Sequence, residues 1–226
     1  MIAERLDAVR SGLPSTVRLV AVSKFHPAES VIEAYRAGQR HFGENRVQEM
    51  VGKAEALQDI CPELQWHQIG TLQRNKVKYI APFVSLIESV DSIKLVEEIE
   101  RQAERVGRVI DILLQVHVAA EETKSGFASN ELLEAARLLA TPGAYPHIRT
   151  CGLMGMGTLT SDEERIRSDF RQIRHLFSSL KQGCFATSPH FCQLSMGMSG
   201  DYRIAIEEGS TSVRIGTAIF GERNYI

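Results

Sequence analysis

This sequence has few cysteines and little net charge, and these two absences exclude several classes of protein. It has four cysteines among 226 residues, at positions 61, 151, 184 and 192, and no two of them show a Cys-x-x-Cys spacing. A zinc site or a disulfide framework is therefore not expected, and the thiols are predicted to be reduced and mostly buried. The formal net charge is only -2. The chain thus has no excess of one sign with which to bind nucleic acid or an anionic membrane.

Long apolar runs and flexible linkers are also missing. No uninterrupted apolar stretch approaches the ~20 residues that a membrane span needs. The first seven residues include acidic side chains where a secretory signal would be basic and then apolar. We therefore expect a cytoplasmic protein with a small-molecule ligand. Because no stretch rich in Ser, Gly or Pro divides the chain, residues 1–226 are expected to form one domain.

What the sequence does contain is an alternation of short apolar strands with segments of helical period. Eight strand-length segments can be counted, and eight parallel strands close a (β/α)8 barrel. The predicted strands lie near residues 18–24, 40–44, 65–70, 84–90, 110–118, 148–156, 193–198 and 212–220. The sequence thus predicts an α/β fold, a single-domain (β/α)8 TIM-type barrel. A doubly wound open sheet is the alternative, because a strand count does not establish closure.

An additional helix is predicted at residues 2–12, before the first strand, whereas almost nothing follows the last strand. We expect this N-terminal helix to cover the place that an eighth crossover helix would fill. The next helical segment, 29–38, has a proline just before it and a glycine at its end, which is typical of a helix that follows a strand in a repeated βα unit.

The chemistry is predicted at the carboxyl ends of the strands, where barrels and open α/β folds bind their ligands. The first strand delivers Lys24 at that end. Two glycine-rich strand ends, 194–199 and 213–217, leave backbone N–H groups that can cradle a phosphate. An amine that loses hydration among apolar strand ends has a lowered pKa and attacks aldehydes. These features favour a phosphorylated aldehyde as the ligand; a solvated lysine and glycines that serve only tight turns are the alternatives.

Six short motifs follow one another in a fixed order. They are Ala-Val-Ser-Lys at 21–24, Phe-Gly-Glu-Asn at 42–45, His-Gln-Ile-Gly at 67–70, Gly-Leu-Met at 152–154, Ser-Met-Gly-Met-Ser at 195–199, and a segment from Gly-Ser-Thr at 209–211 to Gly221. Together these motifs closely resemble the pyridoxal phosphate homeostasis protein family. Members of that family are similar to the barrel domain of alanine racemase standing alone, and the resemblance spans nearly the whole chain.

The resemblance implies a barrel that binds pyridoxal 5'-phosphate (PLP), with Lys24 forming the internal aldimine at its mouth. It also implies that Ser199, Gly216 and Thr217 hold the phosphate, which agrees with the cradle inferred from the residues. The residues expected to bind the cofactor are Lys24, Asn45, Met196, Gly197, Ser199, Arg214, Gly216 and Thr217.

Arg214 and Asn45 each have a second interpretation. Strand alternation points the side chain of Arg214 away from the face of Val213 and Ile215. In the racemase-like arrangement an arginine meets the pyridine nitrogen, and its permanent charge makes the ring a weak electron sink. A salt bridge to a strand-end carboxylate is the alternative. Asn45 is expected at the ring hydroxyl or beside the lysine, with a helix cap as the alternative.

Three further side chains are less specific. His67 and Met154 come at the third and sixth strand ends, where they could line the pocket or pack in the core. Lys124 lies in a loop that resembles the family's Glu-x-x-Lys-x-Gly segment, where it could contact the route of cofactor entry or pair with Glu121 or Glu122.

The family resemblance implies a protein of intracellular vitamin B6 homeostasis that buffers or delivers PLP rather than an efficient catalyst. Racemases on this barrel use a second domain to place an acid/base on the other face of the cofactor, and no residues remain here for one. A low-rate amino-acid racemase and a Schiff-base aldolase acting on a phosphosugar are the alternatives. The expected partners are PLP and, transiently, apo-enzymes that receive it, with no nucleic acid, membrane or metal, and the chain is expected to be a monomer or weak dimer.

Overall fold

The chain folds into a closed ring of eight parallel strands. The computed structural model describes residues 1–119 and 125–222. Each strand pairs with the next in sequence order, and the last pairs with the first. The strands are β1 Arg18–Val22, β2 His41–Glu44, β3 Gln65–Gln68, β4 Leu86–Val90, β5 Ile110–Val116, β6 Ile148–Gly155, β7 Gln193–Met198 and β8 Ser212–Ile215. The predicted (β/α)8 barrel is confirmed, and the open sheet is excluded.

Helices follow the strands and cover the outside of the ring. They are α1 Ile2–Ser11, α2 Ala28–Arg36, α3 Val47–Leu57, α4 Val77–Ile80, α5 Ile93–Arg105, α6 Ser129–Ala140, α7 Glu163–Gln182, α8 Tyr202–Glu207 and α9 Thr217–Phe220, with a 3-10 turn at Arg74–Lys76. Their apolar faces and the outward-facing strand residues form one large hydrophobic core. In the part of the chain that the structure describes, none of these helices is long and apolar enough to cross a membrane.

The last predicted strand, 212–220, is wrong in its second half. Strand β8 ends at Ile215, and the following residues form the short helix α9. The N–H groups of Ile219 and Phe220 both donate to the carbonyl of Gly216, at 2.8 Å and 2.9 Å, which closes a helical turn. A short apolar run does not distinguish strand from helix by its periodicity, and this is why the sequence pattern extended the strand too far.

Helix α1 takes the place predicted for it. The guanidinium of Arg5 donates to the carbonyl of Phe220 in α9, at 3.4 Å. At the other side, the N–H of Ile2 donates to the Glu33 carboxylate in α2, at 2.8 Å. The N-terminal helix therefore lies between the first crossover helix and the last short helix, where a full eighth crossover helix would otherwise pack.

The inside of the barrel is divided between apolar and polar side chains. A small separate cluster of Leu86, Leu113, Cys151 and Met154 fills part of the interior. The rest contains buried polar groups, among them Glu88, His67, Ser195 and Arg214. An interior that carries charge must satisfy every one of those groups, because water is excluded from them.

Substitution of Gly152 should break the barrel at the contact between β6 and β7. Its φ is +151°, and an added Cβ would overlap the carbonyl oxygen of Gln193 on the paired strand. We expect Gly152→Ala to lower the free energy of unfolding by more than ~3 kcal/mol or to prevent folding. The matched control is Gly52→Ala, inside α3 with open space around it. It should raise that free energy by up to ~1 kcal/mol in urea denaturation. Equal stability of Gly152→Ala and the wild type would contradict this reading of the strand contact.

Candidate functional site

A pocket of about 250 Å³ opens at the carboxyl end of the barrel, beside the ends of β1, β2, β7 and β8. Six of the eight residues predicted to bind a cofactor line it: Lys24, Asn45, Ser199, Arg214, Gly216 and Thr217. The closed topology explains this convergence, since parallel strands bring all their carboxyl ends to one face of the ring. The lysine of the first strand and the glycine-rich ends of the last two strands therefore meet in one cavity.

The other two predicted residues do not line this pocket. The side chain of Met196 is fully buried in the core outside the strands. Gly197 has φ +93°, and an added Cβ would lie 2.6 Å from the Cβ of Ala205 in α8. The glycine therefore serves the close packing of α8 against β7. A contact between these two residues and a cofactor stays a prediction.

The two glycine-rich segments approach each other and the first strand. The N–H of Gly216 donates to the hydroxyl of Ser199, at 3.4 Å. An added Cβ at Gly216 would lie 3.0 Å from the carbonyl oxygen of Val22, at the end of β1. Glycine accommodates this close approach of the end of β8 to β1 at the pocket edge. Thr217 begins α9 directly beyond this contact.

Lys24 lies two residues beyond the end of β1, in the turn that leads to α2. The residue after it, Phe25, has φ +65°, the left-handed conformation that residues other than glycine rarely adopt. This turn packs towards the last helix, since the ring centroids of His26 and Phe220 lie 5.2 Å apart. The lysine is thus carried by a defined turn rather than by the strand itself.

Asn45 follows β2 and is fixed through its backbone. The amide nitrogen of Gln68 donates to the carbonyl of Asn45 at 3.0 Å and to that of Gly70 at 2.9 Å. An added Cβ at Gly70 would lie 2.7 Å from the Asn45 carbonyl oxygen, so that position also needs glycine. Helix α3 begins at Val47 with Arg46 at its N-cap, and the helix-cap interpretation of Asn45 is therefore wrong.

Arg214 enters the pocket from inside the barrel, where only 4% of it is exposed. Its Nη1 donates to the carbonyl of Ser195 at 3.0 Å and to the Ser195 hydroxyl at 2.5 Å, and its Nη2 donates to the Gly155 carbonyl at 3.0 Å. Val213 and Ile215 lie in the outer core, so the predicted alternation of the strand is confirmed.

A string of polar side chains, all of them buried except the partly buried His41, runs from Arg214 through the barrel. The Ser195 hydroxyl donates to Glu88 Oε2 at 2.6 Å, and Arg214 Nη1 lies 3.7 Å from the same oxygen. His67 Nδ1 donates to Glu88 Oε1 at 2.7 Å, and His67 Nε2 lies 3.0 Å from His41 Nδ1. The alternative role of Arg214, an ion pair with a strand carboxylate, is thus present together with its place in the pocket.

The ionisable groups in this string shift one another's pKa values. Burial by itself raises the pKa of Glu88, but the hydrogen bond and charge of His67, followed by the charge of Arg214, outweigh it and leave the pKa lowered. Burial lowers the pKa of Arg214, and the Glu88 charge opposes that shift. Burial and the neighbouring His67 lower the pKa of His41 to about 3. The result is an ionised carboxylate inside the barrel, beside a guanidinium that faces the pocket.

The structure decides two positions that the sequence left open between pocket lining and core packing. His67 belongs to the buried string and Met154 to the interior apolar cluster, and neither lines the pocket. The apolar lining comes instead from Val22, Ile69 and Met198, which lie inside three of the six motifs but were given no role there, and from Met156, which lies in none of them. Their positions at strand ends were the available signal. Lys124 lies outside the described residues.

Comparison with known proteins agrees with this fold. The family of the alanine racemase N-terminal domain matches residues 1–224, which gives the class of barrel. The pyridoxal phosphate homeostasis protein of Aquifex aeolicus is 43% identical over 208 residues, 92% of this chain and 88% of the relative. That of Vibrio alginolyticus is 39% identical over 224 residues, 98% of this chain and 93% of the relative.

A solved structure of a relative is also similar to this chain over nearly its whole length. PipY of Synechococcus elongatus PCC7942, solved with PLP bound, is 40% identical, with a TM-score of 0.89 over 98% of this chain and 100% of that chain. The present chain belongs to the family of pyridoxal phosphate homeostasis proteins. The family predicted from the six motifs is confirmed.

The buried string predicts an acid-sensitive barrel. The folded state keeps His41 neutral down to a pH of about 3, whereas the unfolded chain protonates it near its ordinary pKa of 6.5. The unfolded state therefore binds more protons between these values, and this residue makes stability fall as the pH falls through that window. The slope of the unfolding free energy against pH is set by the difference in bound protons between the two states. We expect His41→Gln to reduce that difference by up to one proton in this pH window. Urea denaturation at several pH values measures it, with the exposed His175→Gln as control. Identical slopes for His41→Gln and the wild type would contradict this assignment.

Proposed function

We propose that the pocket binds PLP through Lys24 and that the protein buffers or delivers this cofactor. The observation that carries the proposal is the convergence of a lysine, a hydroxyl- and glycine-lined edge and a buried arginine in one cavity. The PLP-bound relative, at 40% identity over nearly the full length of both chains, supports it. Residues 1–226 form one PLP-binding domain in this proposal.

The residues present fit the chemical parts of PLP. Ser199, Gly216 and Thr217 would hold the phosphate, since hydroxyls and a closely approached backbone suit an anion. Arg214 would donate a hydrogen bond to the ring nitrogen, and Asn45 would contact the ring hydroxyl. When bound, PLP supplies an aldehyde that condenses with a primary amine. Lys24 is the primary amine in the pocket lining.

The same pocket is better suited to binding PLP than to catalysing a reaction of an amino acid with it. A guanidinium stays protonated and its charge opposes protonation of a neighbouring ring nitrogen, which weakens the ring as an electron sink. Among the described residues that line the pocket, Lys24 and Arg214 are the only ones with titratable side chains. An amino-acid racemase needs a second acid/base on the opposite side of the cofactor, and the described lining supplies neither a carboxylate nor a histidine for that role.

The proposal includes the cellular setting and the recipients. A protein that holds PLP reversibly would transfer it to apo-enzymes during transient encounters. The exposed thiol of Cys192 suits a reducing compartment, and we place the protein in the cytoplasm as a monomer or weak dimer.

Removal of the Lys24 amine should abolish covalent loading. We expect the wild-type protein incubated with PLP to show a yellow absorption band and, after borohydride reduction, a pyridoxyl adduct on Lys24 in peptide mass spectrometry. The Lys24→Ala variant should lack both, whereas Lys181→Ala, on the outer helix α7, should keep both. A band that persists in Lys24→Ala would assign the adduct to another amine, Lys124 being the first to examine.

Turnover distinguishes a carrier from a racemase. We expect the PLP-loaded protein to racemise added L-alanine no faster than the same concentration of free PLP, because the described lining offers no opposite-face base. Circular dichroism of the amino acid over time measures this. A rate clearly above that of free PLP, and lost in Lys24→Ala, would make the protein a slow racemase instead.

A further inference from the structure

A buried lysine, unlike the partly exposed Lys24, lies behind the turn that carries Lys24 and outside the pocket. Lys53 in α3 is 7% exposed. Its Nζ donates to Glu44 Oε1 at 2.6 Å, to Glu49 Oε1 at 2.8 Å and to the carbonyl of Ser23 at 2.8 Å. An ammonium group has three hydrogens to donate, so these three acceptors use them all. We call Glu44, Glu49 and Lys53 the charge clamp.

The charge clamp holds the backbone on both sides of Lys24. Before the lysine, the Ser23 carbonyl accepts from Lys53, and the Ser23 hydroxyl donates to Glu44 at 2.6 Å. After it, the N–H of Phe25 donates to Glu49 Oε1 at 2.6 Å. The same carboxylate oxygen therefore receives Lys53 and the residue that follows Lys24.

This arrangement explains an unfavourable conformation. Phe25 has φ +65°, which costs conformational energy for a residue with a side chain and persists only where the surroundings enforce it. The hydrogen bond from Phe25 to Glu49 supplies one such constraint, and the guanidinium of Arg46 lies 5.1 Å from the centre of the Phe25 ring. Helix α3 thus fixes the direction in which the turn projects Lys24.

Burial makes the charge clamp an expensive way to stabilise a barrel. Glu44 is fully buried, and its Oε2 has no hydrogen-bond partner among the described residues. Burial raises the pKa of Glu44 to about 7, against the charge and hydrogen bond of Lys53. Packed apolar side chains of similar volume often stabilise a fold as well as a buried ion cluster does. The geometry that the cluster imposes on the turn is therefore its distinctive contribution.

We infer that Lys53 and Glu49 are positioning residues for Lys24: they hold the peptide units on either side of it so that its amine meets the cofactor aldehyde. The inference rests on the proposed function. Neither residue lines the pocket, and both act through the backbone. A small error in the placement of a reacting group lowers a rate by roughly 100-fold. Loss of the charge clamp should therefore slow the reaction of Lys24 without moving it to another lysine.

The decisive comparison is between two substitutions at Glu49. Glu49→Gln keeps an oxygen that can accept from Phe25, whereas Glu49→Ala removes it. We measure the rate at which the yellow band forms after PLP is mixed with the unliganded protein in a stopped-flow spectrometer, and we map the reduced adduct by mass spectrometry. Glu49→Ala should form the adduct on Lys24 about tenfold more slowly or worse, and Glu49→Gln should recover most of the wild-type rate.

Two further variants complete the test. Lys53→Met should be slow, like Glu49→Ala, because it removes the ammonium that bonds to Ser23 and both carboxylates. Arg108→Met is the matched control, since Arg108 is a half-buried cation that, like Lys53, donates to the backbone, here to the carbonyls of Ala81 and Val84, but lies away from the pocket. It should load at the wild-type rate. Thermal denaturation of each variant identifies any that fail to fold, and Glu49, partly exposed, is the milder site.

The outcomes separate the two proposals. Wild-type rates in both Glu49→Ala and Lys53→Met would overturn the positioning role while leaving PLP binding intact. Equal slowing in Glu49→Ala and Glu49→Gln would show that the hydrogen bond from Phe25 is not the way in which Glu49 positions Lys24. Failure of the wild-type protein itself to form an adduct on Lys24 would instead refute the proposed function.

Discussion

A guanidinium charge inside the barrel is the constraint on which the rest of the site depends. Arg214 is almost entirely removed from water, and an uncompensated charge at that depth would be strongly destabilising. Glu88 supplies the opposite charge, Ser195 joins the two through its hydroxyl, and His67 holds the other carboxylate oxygen. Part of the barrel interior is therefore polar rather than apolar, because the cation at the base of the pocket needs buried partners.

The pocket is thus supported from two directions by buried charge. On one side the string through Glu88 fixes the arginine, and on the other the charge clamp fixes the turn that carries Lys24. In both places the side chains that do the fixing lie outside the cavity. The residues that line the pocket are few, and they are oriented by a larger set of side chains that lie outside it. Such preorganisation reduces the reorganisation needed when a ligand binds.

The sequence predicted the barrel because its signal is local. Every strand contains apolar residues, although β3 is mostly polar, and each strand start was predicted to within about two residues of the structure. The pocket was predicted for a related reason: once strands are parallel, residues that follow them must converge, as Lys24 and Gly216 do. The end of β8 was misplaced because an apolar run of four residues suits either a strand or a helical turn.

The supporting residues could not be predicted in the same way. Ser195 and Glu88 are 107 positions apart, and no pattern in one sequence states that their side chains will meet inside the ring. Lys53 was not singled out in the sequence, because it is the placement of α3 against the turn after β1 that makes it buried. Met196 and Gly197 were grouped with the cradle by their neighbours, although Met196 is buried in the outer core and Gly197 packs against α8. Local patterns give the elements and their ends, whereas tertiary packing decides which polar groups become partners.

The seam between β1 and β8 has a consequence for how the protein becomes competent to bind. The pocket is built from residues near both ends of the chain, and α1 is tied to α9 across the same seam. A ligand can therefore contact both the turn after β1 and the end of β8 only after β8 has been synthesised and has paired with β1. A ligand held there would link the first and last strands, so its binding would stabilise the closed ring against opening at this seam.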